Sequence, residues 1–162
     1  MLIFSVVLLD IIGIGIIFPI IPDLLKEVGI DQNASAAFWG GLLSSSYAFM
    51  QFVFSPTIGA LSDIFGRRPI LLIASLFLGL DYLVMGFAET IFILFIGRLV
   101  GGLAGGTIAT GTAYLADISD TKDKKKNFAI IGAAFGLGFI LGPIIGGLMG
   151  EINVRAPFFL SA

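Results

Sequence analysis

The chain has 162 residues, of which 57% are hydrophobic and 12% are charged, and its formal net charge is −2. Soluble domains contain about 45–50% apolar and about 25% charged residues, so this composition excludes an ordinary soluble fold. The absence of cysteine and histidine rules out disulfides, thiol catalysis and imidazole bases, and it leaves no expected metal site. No basic stripe points to nucleic acid, and we do not expect an enzyme.

Five apolar segments are long enough to cross a membrane, since a transmembrane helix needs roughly 20 mostly apolar residues. Backbone groups in hydrocarbon must be satisfied within the segment, so we expect helices rather than strands. The sequence therefore predicts an all-α integral membrane protein, a polytopic helical bundle that contacts the lipid bilayer. The predicted spans are about 2–22, 38–61, 69–88, 91–116 and 128–150, and a sixth begins near 156.

The first and last apolar segments of the chain each differ from an ordinary transmembrane span. The first segment is expected to stay as a helix and not to be cleaved as a signal peptide, because no Lys or Arg precedes its apolar run and it contains Asp10, Pro19 and Pro22. The sixth span ends at Ala162, seven residues after it begins. We therefore expect a fragment of a longer protein or a truncated reading frame.

Basic residues in the predicted loops indicate an orientation. The second and fourth loops together hold six Lys or Arg residues, whereas the other loops hold two. Positive loops stay in the cytoplasm, so we expect a cytoplasmic N-terminus in the inner (cytoplasmic) cell membrane. The six residues are Arg67, Arg68, Lys122, Lys124, Lys125 and Lys126.

Three ionisable residues, Asp10, Asp81 and Arg98, lie within the predicted spans. A charge at the bilayer centre costs about 2.5–3.5 kcal/mol on insertion scales, so such residues usually face a cavity or a partner. A carboxyl group removed from water takes up a proton more readily, which is the chemistry of a proton-coupled transporter. Alternatively, an Asp–Arg pair only fastens two helices together. Gln51 has two equally supported interpretations: it lies in the transport pathway, or it only forms a hydrogen bond with a neighbouring helix.

Glycines recur at four-residue spacing in the fourth and fifth spans. Small residues at this spacing allow two helix backbones to approach closely. Helix packing is enough to explain them, so they do not by themselves indicate transport. Pro143 in the fifth span lacks a backbone N–H and is expected to favour a local kink. The two stripes contain Gly97, Gly101 and Gly105, and Gly138, Gly142 and Gly146.

Three motifs resemble those of the major facilitator superfamily. Residues 59–69 (GALSDIFGRRP), between the second and third spans, resemble its cytoplasmic loop signature. Residues 98–105 (RLVGGLAG) look like its fourth-helix motif, in which the Arg is associated with proton transfer. Residues 138–147 (GFILGPIIGG) look like the fifth-helix motif of proton-driven antiporters. All three fall on the expected helices and sides, so the chain resembles the N-terminal, six-helix half of that fold.

Within the superfamily, nearly the whole chain is most similar to the tetracycline/proton antiporters. The resemblance implies that Asp10 and Asp81 are membrane carboxylates of the drug and proton pathway, that Arg98 takes part in proton coupling, and that Gln51 lies near the pathway. It also implies two structural elements. These are a cytoplasmic gating loop (Gly59, Asp63, Gly66, Arg67 and Arg68) and an antiporter-like helix motif (Gly138, Gly142, Pro143, Gly146 and Gly147).

The function implied by the resemblance is proton-coupled efflux of a drug of the tetracycline type by alternating access. The proton gradient supplies the energy without a cofactor, and the drug can travel as a metal chelate. Ile64 departs from the loop signature, where a basic residue is usual. Family members have two six-helix halves, so this chain alone, without the C-terminal half, is expected to be inactive. Two alternatives stay open. The chain is either a non-transporting truncated membrane protein or a half-transporter that needs a partner, or it is a facilitator-type transporter of another small amphiphile or metabolite.

Overall fold

The computed structural model describes residues 2–30, 33–120 and 123–162, and these ranges form helices joined by short turns without any strand. In the described chain the helices are α1 Leu2–Glu27, α2 Asn33–Phe65, α3 Arg67–Phe87, α4 Ile91–Ala104, α5 Thr107–Ile118, α6 Lys124–Ile152 and α7 Ala156–Ser161. Lys122, one of the basic residues counted in the fourth loop, lies outside the described residues.

Five stretches of the described residues are long and apolar enough to cross a membrane. This confirms the predicted all-α membrane bundle. The stretches are Phe4–Glu27, Ala34–Phe65, Arg67–Phe87, Ile91–Ile118 and Lys124–Ile152.

Several helices extend beyond the apolar runs from which they were predicted. The first helix continues through Pro19 and Pro22 to Glu27, and the second begins at Asn33 instead of near residue 38. The added turns are more polar, and a helix that leaves the hydrocarbon layer can keep its backbone hydrogen bonds in water. An apolar run therefore marks the part of a helix within lipid, and not its full length.

The fourth span is not the continuous helix predicted over 91–116. It is interrupted at Gly105 and Gly106, which separate α4 from α5. The backbone angles of these residues (φ −66°, ψ 9° and φ −76°, ψ 0°) depart from helical values toward ψ near zero. Two consecutive glycines make this departure inexpensive, because glycine is the least favourable residue in a helix interior after proline.

Glycines of α6 allow a close approach to α1. A Cβ at Gly142 would lie 2.7 Å from the Cα of Gly15, and a Cβ at Gly146 would lie 2.6 Å from the carbonyl oxygen of Ile16. The predicted backbone contact is therefore present and joins the first and fifth spans. Gly147 does not share it, since nothing lies within 4 Å of a Cβ at that position. Helix α6 continues through Pro143.

The core lies mainly between α1, α3, α4 and α7. Leu25, Met85 and Phe158 are completely buried within one apolar cluster. Helix α2 instead exposes large apolar side chains, among them Phe49 and Phe52, which are 64% and 80% exposed. Such a surface suits surroundings of lipid or protein rather than water.

Arg155 ties together three elements at one end of the bundle, which we call the Arg155 end. Its Nε donates to Glu27 Oε2 at the end of α1 (2.9 Å), and its Nη1 donates to the carbonyl of Gly86 in α3 (3.2 Å). Its backbone N–H donates to Asn153 Oδ1 at 2.8 Å. The opposite end carries the tight turn at Gly66, which has a positive φ of 94°, and we call it the Gly66 end.

Candidate functional site

Asp81 and Arg98 form a buried ion pair between α3 and α4. Arg98 Nη2 donates a hydrogen bond to Asp81 Oδ2, and the two side chains are 6% and 0% exposed respectively. Removing either partner would leave a buried charge without compensation, which is strongly unfavourable. The structure thus brings together two of the residues that the sequence placed within the membrane.

Two glycines of α4 make room for the Asp81 carboxyl group. A Cβ at Gly97 would lie 3.0 Å from Asp81 Oδ1, and a Cβ at Gly101 would lie 2.6 Å from Asp81 Cγ. A side chain at Gly101 would therefore displace the carboxyl group from Arg98. This part of the glycine stripe accommodates a charged group, in addition to the helix packing that the spacing predicts.

The ion pair has unused hydrogen-bonding capacity. Asp81 Oδ1, Arg98 Nε and the neighbouring Tyr82 hydroxyl are buried, and they have no hydrogen-bond partner among the described residues. Tyr82 packs against α1, where a Cβ at Gly13 would lie 2.8 Å from its Cζ. Buried polar atoms are usually satisfied by water or a ligand when the protein supplies no partner. The site can therefore accept further polar groups.

Arg98 also faces an apolar cavity between α1, α2 and α4. Its guanidinium carbon lies 5.2 Å from the ring centroid of Tyr47, which is the geometry of a cation–π contact. The cavity has a volume of about 270 Å³. Apart from Arg98, Tyr47 and Ser44, its lining is apolar: Ile14, Ile17, Phe18, Ile21 and Ala48. An apolar pocket with a few polar groups is typical of sites for small amphipathic molecules.

Asp10 lies on α1, one helical turn before the cavity residue Ile14. It is 6% exposed, and the side chain of Thr107, the first residue of α5, lies within hydrogen-bonding reach of its carboxyl group. Asp10 is also within electrostatic range of Tyr47 and Tyr82, as are Asp81 and Arg98. Tyr47 and Tyr82 therefore lie between Asp10 and the Asp81–Arg98 pair.

Gln51 on α2 contacts the interruption of the fourth span. Its Nε2 donates to the carbonyl oxygen of Gly105 at 2.5 Å. A Cβ at Gly105 would lie 3.1 Å from Gln51 Cγ, so this glycine also allows the close approach of the side chain. Of the two readings left open by the sequence, the structure contains the interhelical hydrogen bond.

A second polar cluster surrounds Arg67 at the Gly66 end. Arg67 forms ion pairs with Asp63 (2.6 Å) and Asp117 (2.9 Å), and its Nη1 donates to the Ser62 hydroxyl at 2.8 Å. These contacts link the α2–α3 turn to the end of α5. Arg68 is exposed.

The remaining loop and motif glycines have separate structural roles. Gly66 takes the positive φ that favours glycine, whereas the Gly59 carbonyl accepts a hydrogen bond from the Ser62 hydroxyl at 2.7 Å. The motif around Pro143 contacts α1 through Gly15, where a Cβ would lie 3.2 Å from Pro143 Cδ.

Several residues of the two clusters were not predicted as site residues. Thr107 and Tyr47 are ordinary residues within apolar runs, and nothing in their spacing indicates contact with Asp10 or Arg98. Asp117 carries a usable signal, because it ends a span on the same side as the Arg67 loop and opposite charges there can pair. Among the described residues, no group of three or more acidic side chains is positioned to hold a metal ion.

Comparisons with known proteins agree with this architecture. Residues 3–162 match the profile of the family described as the Major Facilitator Superfamily. The chain is 43% identical to the class C tetracycline resistance protein of Escherichia coli over 99% of its own length, and 35% identical to multidrug resistance protein 1 of Bacillus subtilis over 93%. It spans only 40% and 38% of those two relatives.

A solved structure also resembles the chain. The crystal structure of the human organic anion transporter MFSD10 matches with a TM-score of 0.84 and 27% identity, covering 98% of this chain and 43% of the transporter.

Proposed function

The chain belongs to the Major Facilitator Superfamily, and we propose that the whole protein is a drug/proton antiporter that exports a tetracycline-type compound by alternating access. The observation that carries the proposal is the buried Asp81–Arg98 pair, whose arginine lines an apolar cavity while Asp10 lies one turn from that cavity. The names of the relatives, which include tetracycline resistance proteins, support this substrate class.

The proposed coupling uses competition between a proton and a positively charged drug or drug–metal chelate. An ionised Asp10 or Asp81 attracts the cation across a low-dielectric site, whereas the protonated acid no longer does. Protonation of Asp81 also weakens its hold on Arg98, so the arginine that lines the cavity loses its counter-charge. The site would thus bind the drug and the proton alternately, on opposite sides of the membrane. No cofactor is needed.

The Arg67 cluster is proposed to hold one side of the pathway closed. Arg67 pairs with Asp63 near the end of α2 and with Asp117 near the end of α5, so separation of α5 from the α2–α3 turn requires Arg67 to give up one of these two ion pairs. Each exposed pair contributes only about 0.2–1 kcal/mol. A gate of this strength can therefore open thermally. We propose that it lies at the cytoplasmic face of the inner membrane, on the same side as the N-terminus.

A single chain of this length encloses the cavity from one side only. The cavity residues come from α1, α2 and α4, and α2 exposes Phe49 and Phe52. We propose that the C-terminal half covers this face in the whole transporter and that residues 1–162 alone do not transport. The mostly apolar lining also favours a second candidate substrate class, namely other amphipathic drugs. The name of the Bacillus subtilis relative is in keeping with that alternative.

The test is tetracycline uptake into everted membrane vesicles that contain the whole protein, with and without an imposed proton gradient. We expect gradient-driven uptake that Asp81→Asn abolishes, because Asn cannot exchange a proton. Glu89→Gln is the matched control, since Glu89 is an exposed acid outside the spans. Uptake that continues after a protonophore collapses the gradient would refute antiport. Gradient-driven uptake of other amphiphiles, but not of tetracycline, would refute only the proposed substrate.

A further inference from the structure

The interruption of the fourth span lies at its centre. The span runs over 28 residues from Ile91 to Ile118, and the turn at Gly105 and Gly106 separates a 14-residue helix from a 12-residue helix. Both glycines are buried. Non-helical backbone at this depth is tolerated only where other protein groups satisfy it or where it lines a cavity, so its neighbours are informative.

Helix α2 supplies the stabilising contacts. The first hydrogen bond of α5 runs from the Thr110 N–H to the Gly106 carbonyl (2.9 Å), so the carbonyl of Gly105 lies before the helical ladder begins. Gln51 donates to that carbonyl. Ile58, two helical turns farther along α2, packs where a Cβ of Gly106 would lie only 2.9 Å from its Cγ2. Gln51 thus supplies a donor from α2 to a carbonyl of the interruption.

On its other side the interruption leads directly to Asp10. Thr107 follows Gly106, is 1% exposed, and its side chain lies within hydrogen-bonding reach of the Asp10 carboxyl group. Gln51 holds the Gly105 carbonyl, and Thr107 follows only two residues later. We therefore expect loss of the Gln51 hydrogen bond to displace Thr107. A continuous helix would not need Gln51 as a donor, since its carbonyls bond to residues within the same helix.

We propose that Gln51 and Thr107 are positioning residues that orient the Asp10 carboxyl group through the interruption of the fourth span. Gln51 acts at a distance by fixing the Gly105 carbonyl, and Thr107 acts directly through its hydroxyl. The amide of Gln51 is thereby committed to the backbone rather than to the drug. The assignment of a coupling role to Asp10 rests on the proposed function, whereas the orientation of its carboxyl group does not.

The experiment is infrared spectroscopy of the whole protein reconstituted in lipid, recorded as the pH is lowered. The carboxyl C=O band of Asp10 is identified by its loss in Asp10→Asn. In Thr107→Val the band is expected at higher frequency, because the carboxyl group loses a hydrogen-bond donor, and Thr107→Ser should restore it. Thr110→Val is the matched control: Thr110 is 1% exposed on the same helix, but its hydroxyl has no partner among the described residues.

Gln51→Met is the second variant, which keeps the side-chain length but removes the donor. It should displace the Asp10 band in the same direction, and it keeps the proposal testable if Thr107→Val fails to fold. In transport assays, Thr107→Val should lower proton-coupled exchange on the order of tenfold, the value of one hydrogen bond to a charged group, with recovery in Thr107→Ser.

Unchanged bands in both Thr107→Val and Gln51→Met would overturn the proposal, as would an equal displacement in Thr110→Val. Displaced bands in a protein that exports no tetracycline would support the positioning role and refute the proposed substrate. The failure of one proposal is thus distinguishable from the failure of the other.

Discussion

Replacement of Gly142 by alanine is a stringent test of the α1–α6 contact. The new Cβ would lie 2.7 Å from the Cα of Gly15, 2.8 Å from the carbonyl oxygen of Ile12 and 2.9 Å from the carbonyl carbon of Gly15. All three neighbours are backbone atoms, so no side-chain rotation relieves the overlap. Overpacking of this kind costs up to about 3 kcal/mol, and the better helix propensity of alanine returns about 1 kcal/mol. We expect a net loss of about 2 kcal/mol in the free energy of unfolding.

The matched control is Gly136→Ala, six residues earlier on the same helix, where nothing lies within 4 Å of the new Cβ. That variant gains helix propensity without overlap, so its stability should equal or exceed that of the unmodified protein by up to about 1 kcal/mol. Unfolding by sodium dodecyl sulfate in mixed micelles, followed by circular dichroism, measures both variants. Equal stability of Gly142→Ala and Gly136→Ala would refute the close approach of α1 and α6.

Two further substitutions test the charged clusters. Arg98→Leu leaves the Asp81 carboxylate buried without its partner and should cost about 3–5 kcal/mol of unfolding free energy, whereas the double variant with Asp81→Asn should recover part of that loss; an additive double-mutant cycle would show that the two side chains do not interact. Arg67→Gln should lose about 1 kcal/mol at low salt and less at high salt, because its ion pairs are partly exposed. The exposed Arg68, changed to Gln, should have almost no effect on stability, and equal losses in the two variants would contradict the assigned contacts.

The sequence was sufficient to predict the spans because long apolar runs depend on lipid as the solvent and not on any particular neighbour. It also indicated that Asp81 and Arg98 need partners, since isolated charges in a membrane are costly. The continuity of the fourth span could not be judged in this way. Gly105 and Gly106 lie in an apolar run that is equally suited to an unbroken helix, and the turn is stabilised by Gln51, a residue more than fifty positions earlier.

The same limit applies to the glycine stripes. Four-residue spacing predicted close packing, but it could not distinguish Gly142, which meets the backbone of α1, from Gly147, which meets nothing. Nor could it show that Gly101 accommodates a carboxyl group. The difference depends on which helix lies opposite each position, and that is a property of the assembled bundle.

The Arg155 contacts have a consequence for the order in which the protein is built. Glu27 and Arg155 are 128 residues apart, and the glycines of α6 that meet α1 also come late in the chain. During synthesis, α1 therefore enters the bilayer long before α6 exists. The face of α1 around Gly15 must first lie against lipid or the insertion machinery. Contacts between residues so far apart in the sequence form slowly, because the entropy of closing the intervening loop must be lost first. Helix α1 is thus inserted before α6 but acquires its contacts with α6 late in synthesis.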